Sequence, residues 1–278
     1  MRATRPTGRP WLLTAIAALI TAVFLLPVLW MAGTSLKKPD RILVAHPQWI
    51  PAPFTTENYA TAFSNDTLPR ALLNSLVISC GVVALTLVLG VPLGYALARL
   101  RMRGAGTVVL ALLIAQLLPS IVLAAPLFIL ERRAGLDNTY LGLIAADTTL
   151  TLPFAVIVLR PLLRAVPVEL EEAALVDGCG RLGVLLRIVV PVMVPGLIAV
   201  AGLSFLLGWG EFIFGLTLAK QPDVQPVTVV LNSFVGQYGT SWGPLMATAT
   251  IIAVPVVCVF AIFQRFIVGG LTAGSVKA

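Results

Sequence analysis

The sequence contains few charged residues. They make up 11% of its 278 residues, whereas soluble globular domains carry roughly 25%. Hydrophobic residues make up 58% of the chain, and the mean hydropathy is +0.98. A chain this apolar cannot hide its side chains inside one water-soluble core. The composition therefore excludes an ordinary soluble domain and predicts an integral membrane protein.

Cysteine and histidine are also scarce. The three cysteines, Cys80, Cys179 and Cys258, lie far apart, and two of them fall in apolar runs. This spacing excludes a disulfide framework and a cysteine-based metal site, so we expect small buried residues and no bound metal. The single histidine, His46, lies in a proline-rich loop without a visible acid–base partner. Catalysis by histidine needs such a partner, which argues against a membrane-embedded enzyme.

The basic residues exclude two further functions. The four lysines, Lys37, Lys38, Lys220 and Lys277, do not follow the Gly-x4-Gly-Lys-Ser/Thr pattern, so the chain cannot hydrolyse ATP by the usual phosphate loop. The net charge of +7 would suggest a nucleic-acid partner in a soluble protein. Here the basic residues fall in short loops between apolar runs, where they set membrane orientation, so we expect membrane lipid and no nucleic acid.

Six apolar runs are long enough to cross a bilayer as helices, which needs about 20 residues each. They cover residues 11–31, 72–98, 107–130, 141–163, 188–218 and 244–267. The first run is longer than the apolar part of a signal peptide and lacks a small-x-small cleavage site, so it is expected to be a retained span. We predict an all-α protein in which residues 11–278 form one transmembrane domain. Gly90 and Gly94 in the second span predict close helix contact.

The positive-inside rule gives the orientation of these spans. With a cytoplasmic N-terminal segment 1–10, the inner segments hold 12 Lys and Arg residues and the outer segments hold 7. Both termini and the loop 164–187 are then cytoplasmic. The loop 32–71 lies outside, where it can cover the outer mouth of the bundle or contact an external protein.

The cytoplasmic loop 164–187 is unusually polar for this chain. Pro167 suits a first helical position, and Gly178 can adopt the left-handed conformation that ends a helix. Negative charge in the first turns complements the helix dipole, and three acids fall there: Glu169, Glu171 and Glu172. We predict a short helix over 167–177 and a second one over 181–190.

One face of the short helix is suited to a protein partner. The spacing i, i+3, i+4, i+7 places four residues on it: Leu170, Ala173, Ala174 and Asp177. The alanines make this face shallow, and Asp177, at the unfavourable helix end, is expected to pair with Arg181 or with N–H groups of the next helix. The alternative is a helix on the membrane surface, but such helices are rich in Lys and Arg. The segment from Arg164 to Arg187 has a net charge of −1, which favours a protein.

The stretch EEAALVDGCGRLGVLLRIVVPVMVPG resembles the EAA loop of the membrane subunits of bacterial ATP-binding-cassette importers. The matching positions are Glu172, Ala173, Ala174, Asp177, Gly178 and Pro191, and the departures are Cys179, Leu185 and Val190. SFLLGWGEFIFGLTLA resembles a fifth-span motif of the carbohydrate-uptake branch, the maltose- and trehalose-type permeases, with Gly210 in place of a usual Asn. QYGTSWGPLMATA and FQRFIVGGLTAGSVKA resemble its last outer loop and its C-terminal tail.

This resemblance implies a permease of the type I importer fold, with a cytoplasmic coupling helix between the fourth and fifth spans. The helix would dock on a dimer of ATPase subunits that carry ATP and Mg²⁺, while this chain carries no cofactor. The docking residues would be Glu172, Ala173, Ala174, Asp177, Gly178 and Arg181. A second, related permease subunit would complete the pathway, and an extracellular binding protein would deliver a sugar such as trehalose or maltose across the bacterial cytoplasmic membrane.

Polar groups within spans usually face a cavity or the bundle interior. The candidates for a substrate pathway are Asn74, Gln116, Asp147, Trp209 and Glu211. Asp147 could instead lie at the membrane interface, and Glu211 could pair with another helix.

Two alternative functions stay open from the sequence. One is uptake of another solute, such as glycerol phosphate or an amino acid, although the absence of basic groups deep in a span favours neutral solutes. The other is a channel or secondary transporter, for which no filter motif or clear internal repeat is visible.

Overall fold

A computed structural model describes residues 10–64, 67–100, 102–237 and 239–272. Residues 1–9 of the predicted cytoplasmic segment therefore lie outside the described residues. The chain divides into two compact units, Met1–Asn65 with Ser233–Ala253 and Asp66–Asn232 with Val254–Ala278. The single transmembrane domain over 11–278 stays a prediction.

Nearly all regular structure is helical, which confirms the predicted fold class. In chain order the helices are α1 Pro10–Ser35, α2 Glu57–Phe63, α3 Thr67–Arg99, α4 Ala105–Gln116, α5 Ser120–Ala134, α6 Tyr140–Ala165, α7 Val168–Val176, α8 Arg181–Val184, α9 Val190–Val192, α10 Val194–Gly210, α11 Ile213–Leu218, α12 Val227–Asn232 and α13 Trp242–Thr272. A 3₁₀ turn covers Pro39–Arg41, and a π-helical segment covers Leu185–Val189. Two short antiparallel strands, β1 Val235–Gly236 and β2 Gly239–Thr240, precede α13.

Four helices are long and apolar enough to cross a membrane alone: α1, α3, α6 and α13. Two further spans arise if each of two bent pairs counts as one, which gives the six spans predicted. α4 and α5 are bent by 104°, and the segment Arg181–Val192 is bent by 82° against α10. The spans predicted over 107–130 and 188–218 are therefore each interrupted by a bend. Proline explains both breaks, because Pro119 and Pro195 lack the N–H that would continue the helix.

The second unit is built on close contact between α3 and α6. A Cβ atom added at Gly90 would lie 3.6 Å from the Ala155 Cβ, and one at Gly94 would lie 3.1 Å from the Leu163 Cδ1. The predicted close approach at these glycines is confirmed, since an added Cβ would contact α6 at both positions, at ordinary van der Waals distance at Gly90 and more tightly at Gly94. A buried hydrogen bond of 2.6 Å between the Thr86 and Thr151 hydroxyls joins the same pair.

In the first unit, the outer loop is tied to the end of α1. The Asn58 amide donates to the backbone oxygens of Ser35, at 2.8 Å, and Lys37, at 2.7 Å. The Lys37 ammonium lies 4.0 Å from the centroid of the Trp30 ring, a cation–π contact. Lys37 is buried, and this burial lowers the pKa of its ammonium below the usual value of 10.5.

The cysteines differ from the expectation of small buried residues. Cys80 and Cys258 are exposed, and Cys179 is half-buried. The reason is that a spanning helix turns much of its apolar surface outward to lipid, so an apolar run does not imply burial within the chain.

Candidate functional site

The loop predicted to dock a partner forms the helix that its sequence indicates. α7 begins after Pro167 and ends at Val176, within one residue of the predicted bounds. Gly178 has a φ of +88°, the left-handed conformation predicted for it. The Cys179 N–H then donates to the Ala174 oxygen at 3.0 Å, which satisfies a carbonyl at the helix end.

The inward side of α7 packs on the second unit. Glu171 and Ala174, three residues apart, are both buried. Ala174 is 7% exposed and belongs to a core cluster with Tyr95, Val166 and Leu185. The prediction that Ala174 shares the outward face with Ala173 is therefore wrong, because one helical residue turns the side chain by about 100°.

The outward side of α7 is exposed and mixes acids with apolar side chains. Four of the predicted docking residues lie in exposed positions together with Gly178: Glu172, Ala173, Asp177 and Arg181. Large apolar side chains flank them, with Val176 88% exposed and Leu170 and Leu182 also exposed. Such a patch is typical of a protein interaction site. The docking role itself stays a prediction.

The partner expected for Asp177 is not found. Among the described residues no ion pair joins Asp177 to Arg181, and Gly180, not Asp177, is the N-cap of α8. Asp177 is exposed, so water can solvate its charge and no protein partner is required.

Sequence reasoning missed the residues that hold α7 in place. The buried Glu171 carboxylate is bonded by Tyr95 and Arg99, both near the end of α3. They lie more than seventy positions earlier in the chain, and an arginine at the end of a span ordinarily signals orientation only. The sequence thus carries no local signal for this contact.

Asn74 lies in a structural network. Its amide donates to the backbone oxygens of Asp223, at 3.1 Å, and Gln225, at 2.9 Å, and its Oδ1 accepts from the Tyr140 hydroxyl at 2.7 Å. Asn74 is buried. Both the nitrogen and the oxygen of its amide have hydrogen-bond partners, so Asn74 holds the loop after α11 against α3 and α6.

The other two pathway candidates, Trp209 and Gln116, lie in different environments. The Trp209 ring is buried and stacks on Phe205, with ring centroids 5.7 Å apart. Gln116 is exposed at the end of α4, beside the break before α5. Their placement gives no common polar surface.

Glu211 lies in the break between α10 and α11. Its Oε2 accepts from the backbone N–H groups of Phe214, at 2.8 Å, and Gly215, at 3.2 Å. Negative charge at a helix N-terminus is favourable, so this carboxylate caps α11. Thr228 also donates to the Glu211 backbone oxygen at 2.7 Å. Capping is a structural role. The sequence analysis allowed a structural role for Glu211 through pairing with another helix, and the observed partner is the N-terminal end of α11.

Asp147 is the most unusual polar group of the described spans. It is 4% exposed, and its Oδ1 has no hydrogen-bond partner among the described residues. The charges that act on it come from Glu211 and Glu131, both acidic. Glu131, near the end of α5, is itself buried, with no hydrogen-bond partner in the described structure for either carboxylate oxygen. Three acids therefore share one region, and in the described part of the chain no metal-binding group of three ligands forms.

Comparison with known proteins places these features in context. Residues 90–272 match the family described as binding-protein-dependent transport system inner membrane component. The chain is 34% identical over 271 residues to the diacetylchitobiose uptake system permease protein DasC of Streptomyces coelicolor, covering 97% of this chain and 98% of that protein. It is 36% identical over 261 residues to the trehalose transport system permease protein SugB of Mycobacterium tuberculosis, covering 93% and 94%.

The fold is also similar to a solved structure, that of a bacterial ABC transporter involved in the import of the acidic polysaccharide alginate. The TM-score is 0.77 at 18% identity, with 95% of this chain and 99% of that chain covered. At this identity the likeness supports the fold alone, and it agrees with the predicted importer permease fold.

Proposed function

The chain belongs to the family of inner membrane components of binding-protein-dependent transport systems, and from this membership we propose that it forms half of the pathway of an ATP-driven carbohydrate importer. It is a transport subunit rather than an enzyme. The observation that carries the choice of carbohydrate is nearly full-length similarity to permeases named for diacetylchitobiose and trehalose uptake. A disaccharide or short oligosaccharide is therefore the proposed substrate class.

The proposed partners follow from what this chain contains. It has no phosphate loop, so ATP and Mg²⁺ would be bound by separate ATPase subunits, on which the outward side of α7 would dock. A second permease subunit would supply the other half of the pathway, and an extracellular binding protein would deliver the sugar. The chain is a multi-pass membrane protein of the inner membrane family. We place both termini in the cytoplasm, because α7 can meet a cytoplasmic ATPase only in that orientation.

Copurification tests this function. The tagged chain, expressed in its native host, is purified in mild detergent. We expect an ATPase and a second six-span protein to copurify, and ATP hydrolysis to rise when the binding protein is added with diacetylchitobiose, trehalose or maltose. Glycerol phosphate and amino acids are the control solutes. Absence of the ATPase would contradict the function, and stimulation by a control solute alone would favour the alternative importer.

Within this function we propose that Asp147 contributes a hydrogen-bond acceptor to the sugar pathway. A buried carboxylate with an unpartnered oxygen is unfavourable for folding, and among the described residues none of its charged neighbours is basic. A sugar hydroxyl would donate to that oxygen as the pathway opens. Glu211 would be less available, since its Oε2 caps α11.

Asp147→Asn is expected to lower sugar uptake by roughly ten- to a hundredfold, the equivalent of one charge-assisted hydrogen bond of about 1.5–3 kcal/mol. Stimulation of ATP hydrolysis by the loaded binding protein should persist, because α7 is unchanged. The matched control is Thr148→Ala, since Thr148 is equally buried and, within the described part of the chain, its hydroxyl bonds the Ile144 oxygen of its own helix, at 2.6 Å. Uptake at the wild-type rate by Asp147→Asn would remove Asp147 from the pathway. Uptake and the amount of protein in the membrane are measured together.

A further inference from the structure

A polar cluster lies where the ends of α3 and α6 meet α7. The Arg99 Nε forms a salt bridge of 2.7 Å with the Glu171 Oε1. The Tyr95 hydroxyl donates to the Glu171 Oε2, also at 2.7 Å. The Arg99 Nη2 donates to the backbone oxygen of Val166, the residue that ends α6. We call the three side chains of Tyr95, Arg99 and Glu171 the latch.

The latch is buried and fully bonded. Its ion pair is only 12% exposed at the arginine side chain and 8% exposed at the glutamate side chain, and both carboxylate oxygens have a donor. Replacing a buried ion pair with apolar side chains is often neutral or stabilising. Stability alone therefore does not explain this pair. Its distinctive property is direction, because the planar guanidinium fork fixes the angle between its acceptors.

The base of the latch is a rigid helix pair. Tyr95 and Arg99 are four residues apart on α3, one above the other on the same face. The glycine contacts described above lock α3 against α6, and the Arg160 Nε adds a hydrogen bond of 3.3 Å to the Leu97 oxygen. Displacement of the end of α3 must therefore move α6 as well.

α7, in contrast, is a short helix held by few contacts. It has nine residues, follows α6 through the extended residues Val166 and Pro167, and buries only Glu171 and Ala174. Ala174 gives a shallow apolar contact with no directional preference. Glu171 is thus the one side chain of α7 among the described contacts that bonds α3 directionally.

We propose that the latch transmits displacement of α7 to the α3–α6 pair, which makes Glu171 and Arg99 positioning residues for transport. The proposal rests on the function given above, in which an ATPase moves α7. Two successive glutamates then have different tasks. Glu172 faces outward to the ATPase, and Glu171 faces inward to the spans.

The test measures coupling rather than activity alone. Glu171→Gln keeps the shape of the side chain and the Tyr95 hydrogen bond but removes the charge that holds Arg99. In the complete transporter in proteoliposomes, we expect ATPase assembly and basal ATP hydrolysis to persist. The number of sugars imported per ATP should fall by at least about tenfold, the lower limit of the loss expected for one charge-assisted bond. Glu169→Gln, an exposed position on the same helix, should leave this ratio unchanged.

A second variant, Arg99→Lys, tests the latch independently, in case Glu171→Gln fails to fold. Arg99→Lys keeps the positive charge but lacks the planar fork that bonds Glu171 and Val166 at a fixed angle, so the import ratio should also fall, and by less. An unchanged ratio in either folded variant would overturn the latch. If the wild-type chain binds no ATPase, the proposed function itself has failed. If Glu172→Ala uncouples transport and Glu171→Gln does not, the function stands and only the latch is lost.

Discussion

Gly178→Asp is expected to abolish uptake, to below about a tenth of the wild-type rate, while the chain stays in the membrane. Gly178 has a φ of +88°, and an added Cβ would meet no atom within 4 Å. The effect therefore comes from the backbone and the charge and not from a clash. Most side chains cost about 1–2 kcal/mol in the left-handed region, but Asp tolerates that region better than most, so the backbone supplies the smaller part of the effect. The new charge also lies beside Asp177, at the acid-disfavouring end of α7.

Gly104→Asp is the matched control for this substitution. Gly104 has a φ of +87°, and an added Cβ there also meets nothing within 4 Å, so the backbone strain is matched, whereas the added charge lies at the N-cap of α4, where an acid is favourable. It precedes α4 and takes no part in α7. Uptake by Gly104→Asp should stay near the wild-type rate, and Gly178→Asn should separate strain from charge. An equal loss at both glycines would show that strain alone impairs the protein and that the end of α7 has no special role.

The parts of this site that follow from sequence are those with a local cause. Pro167 and Gly178 define the ends of α7 because each constrains its own backbone, and Gly90 and Gly94 predict the α3–α6 contact because they repeat on one helix face. Apolar runs likewise predict six spans. Hydropathy does not report the direction of a helix axis, however, so it does not predict the bend before α10.

The parts that could not be predicted depend on distant residues. Asn74 bonds backbone oxygens about 150 positions away, and Arg99 bonds Glu171 72 positions away. Neither contact leaves a pattern in either segment alone. A polar residue in a span was therefore interpreted as a pathway group, although Asn74 is satisfied by the chain itself. Of the five pathway candidates, Asp147 is the one with a buried oxygen that has no hydrogen-bond partner among the described residues, which is why it alone is carried into the proposed pathway.

Glu171 and Glu172 show how much a shift of one position changes the environment of a side chain on a helix. Adjacent positions on a helix differ by about 100° in direction, so the first carboxylate is buried against α3 and the second is exposed. Composition treats them as one acidic pair. Their environments predict different consequences, since loss of Glu171 changes an internal ion pair and loss of Glu172 changes only the outer surface.

Glu172→Ala is expected to abolish uptake without disturbing the fold of the chain. Its carboxylate is exposed and makes no described ion pair, so alanine, a good helix former, should leave α7 intact. If the carboxylate bonds a basic group of the ATPase, its loss removes about 1.5–3 kcal/mol, which weakens docking by roughly ten- to a hundredfold. The measurements are sugar uptake and the amount of ATPase that copurifies as the salt concentration is raised, because an ionic contact weakens with screening.

Glu169→Ala is the control that makes this result specific. It removes the same charge from the same helix, also from an exposed position, and lies one turn before Glu172 on the same side of α7, so only the position along the helix differs. Nonspecific loss of negative charge would weaken ATPase binding equally in both variants, and the specific assignment of Glu172 would then be wrong. Retention of uptake and ATPase binding by Glu172→Ala would place the docking surface elsewhere on the chain. A loss confined to Glu172→Ala, with the latch intact beneath it, is the result expected if ATPase force enters at the outer face of α7 and passes through Glu171 into α3.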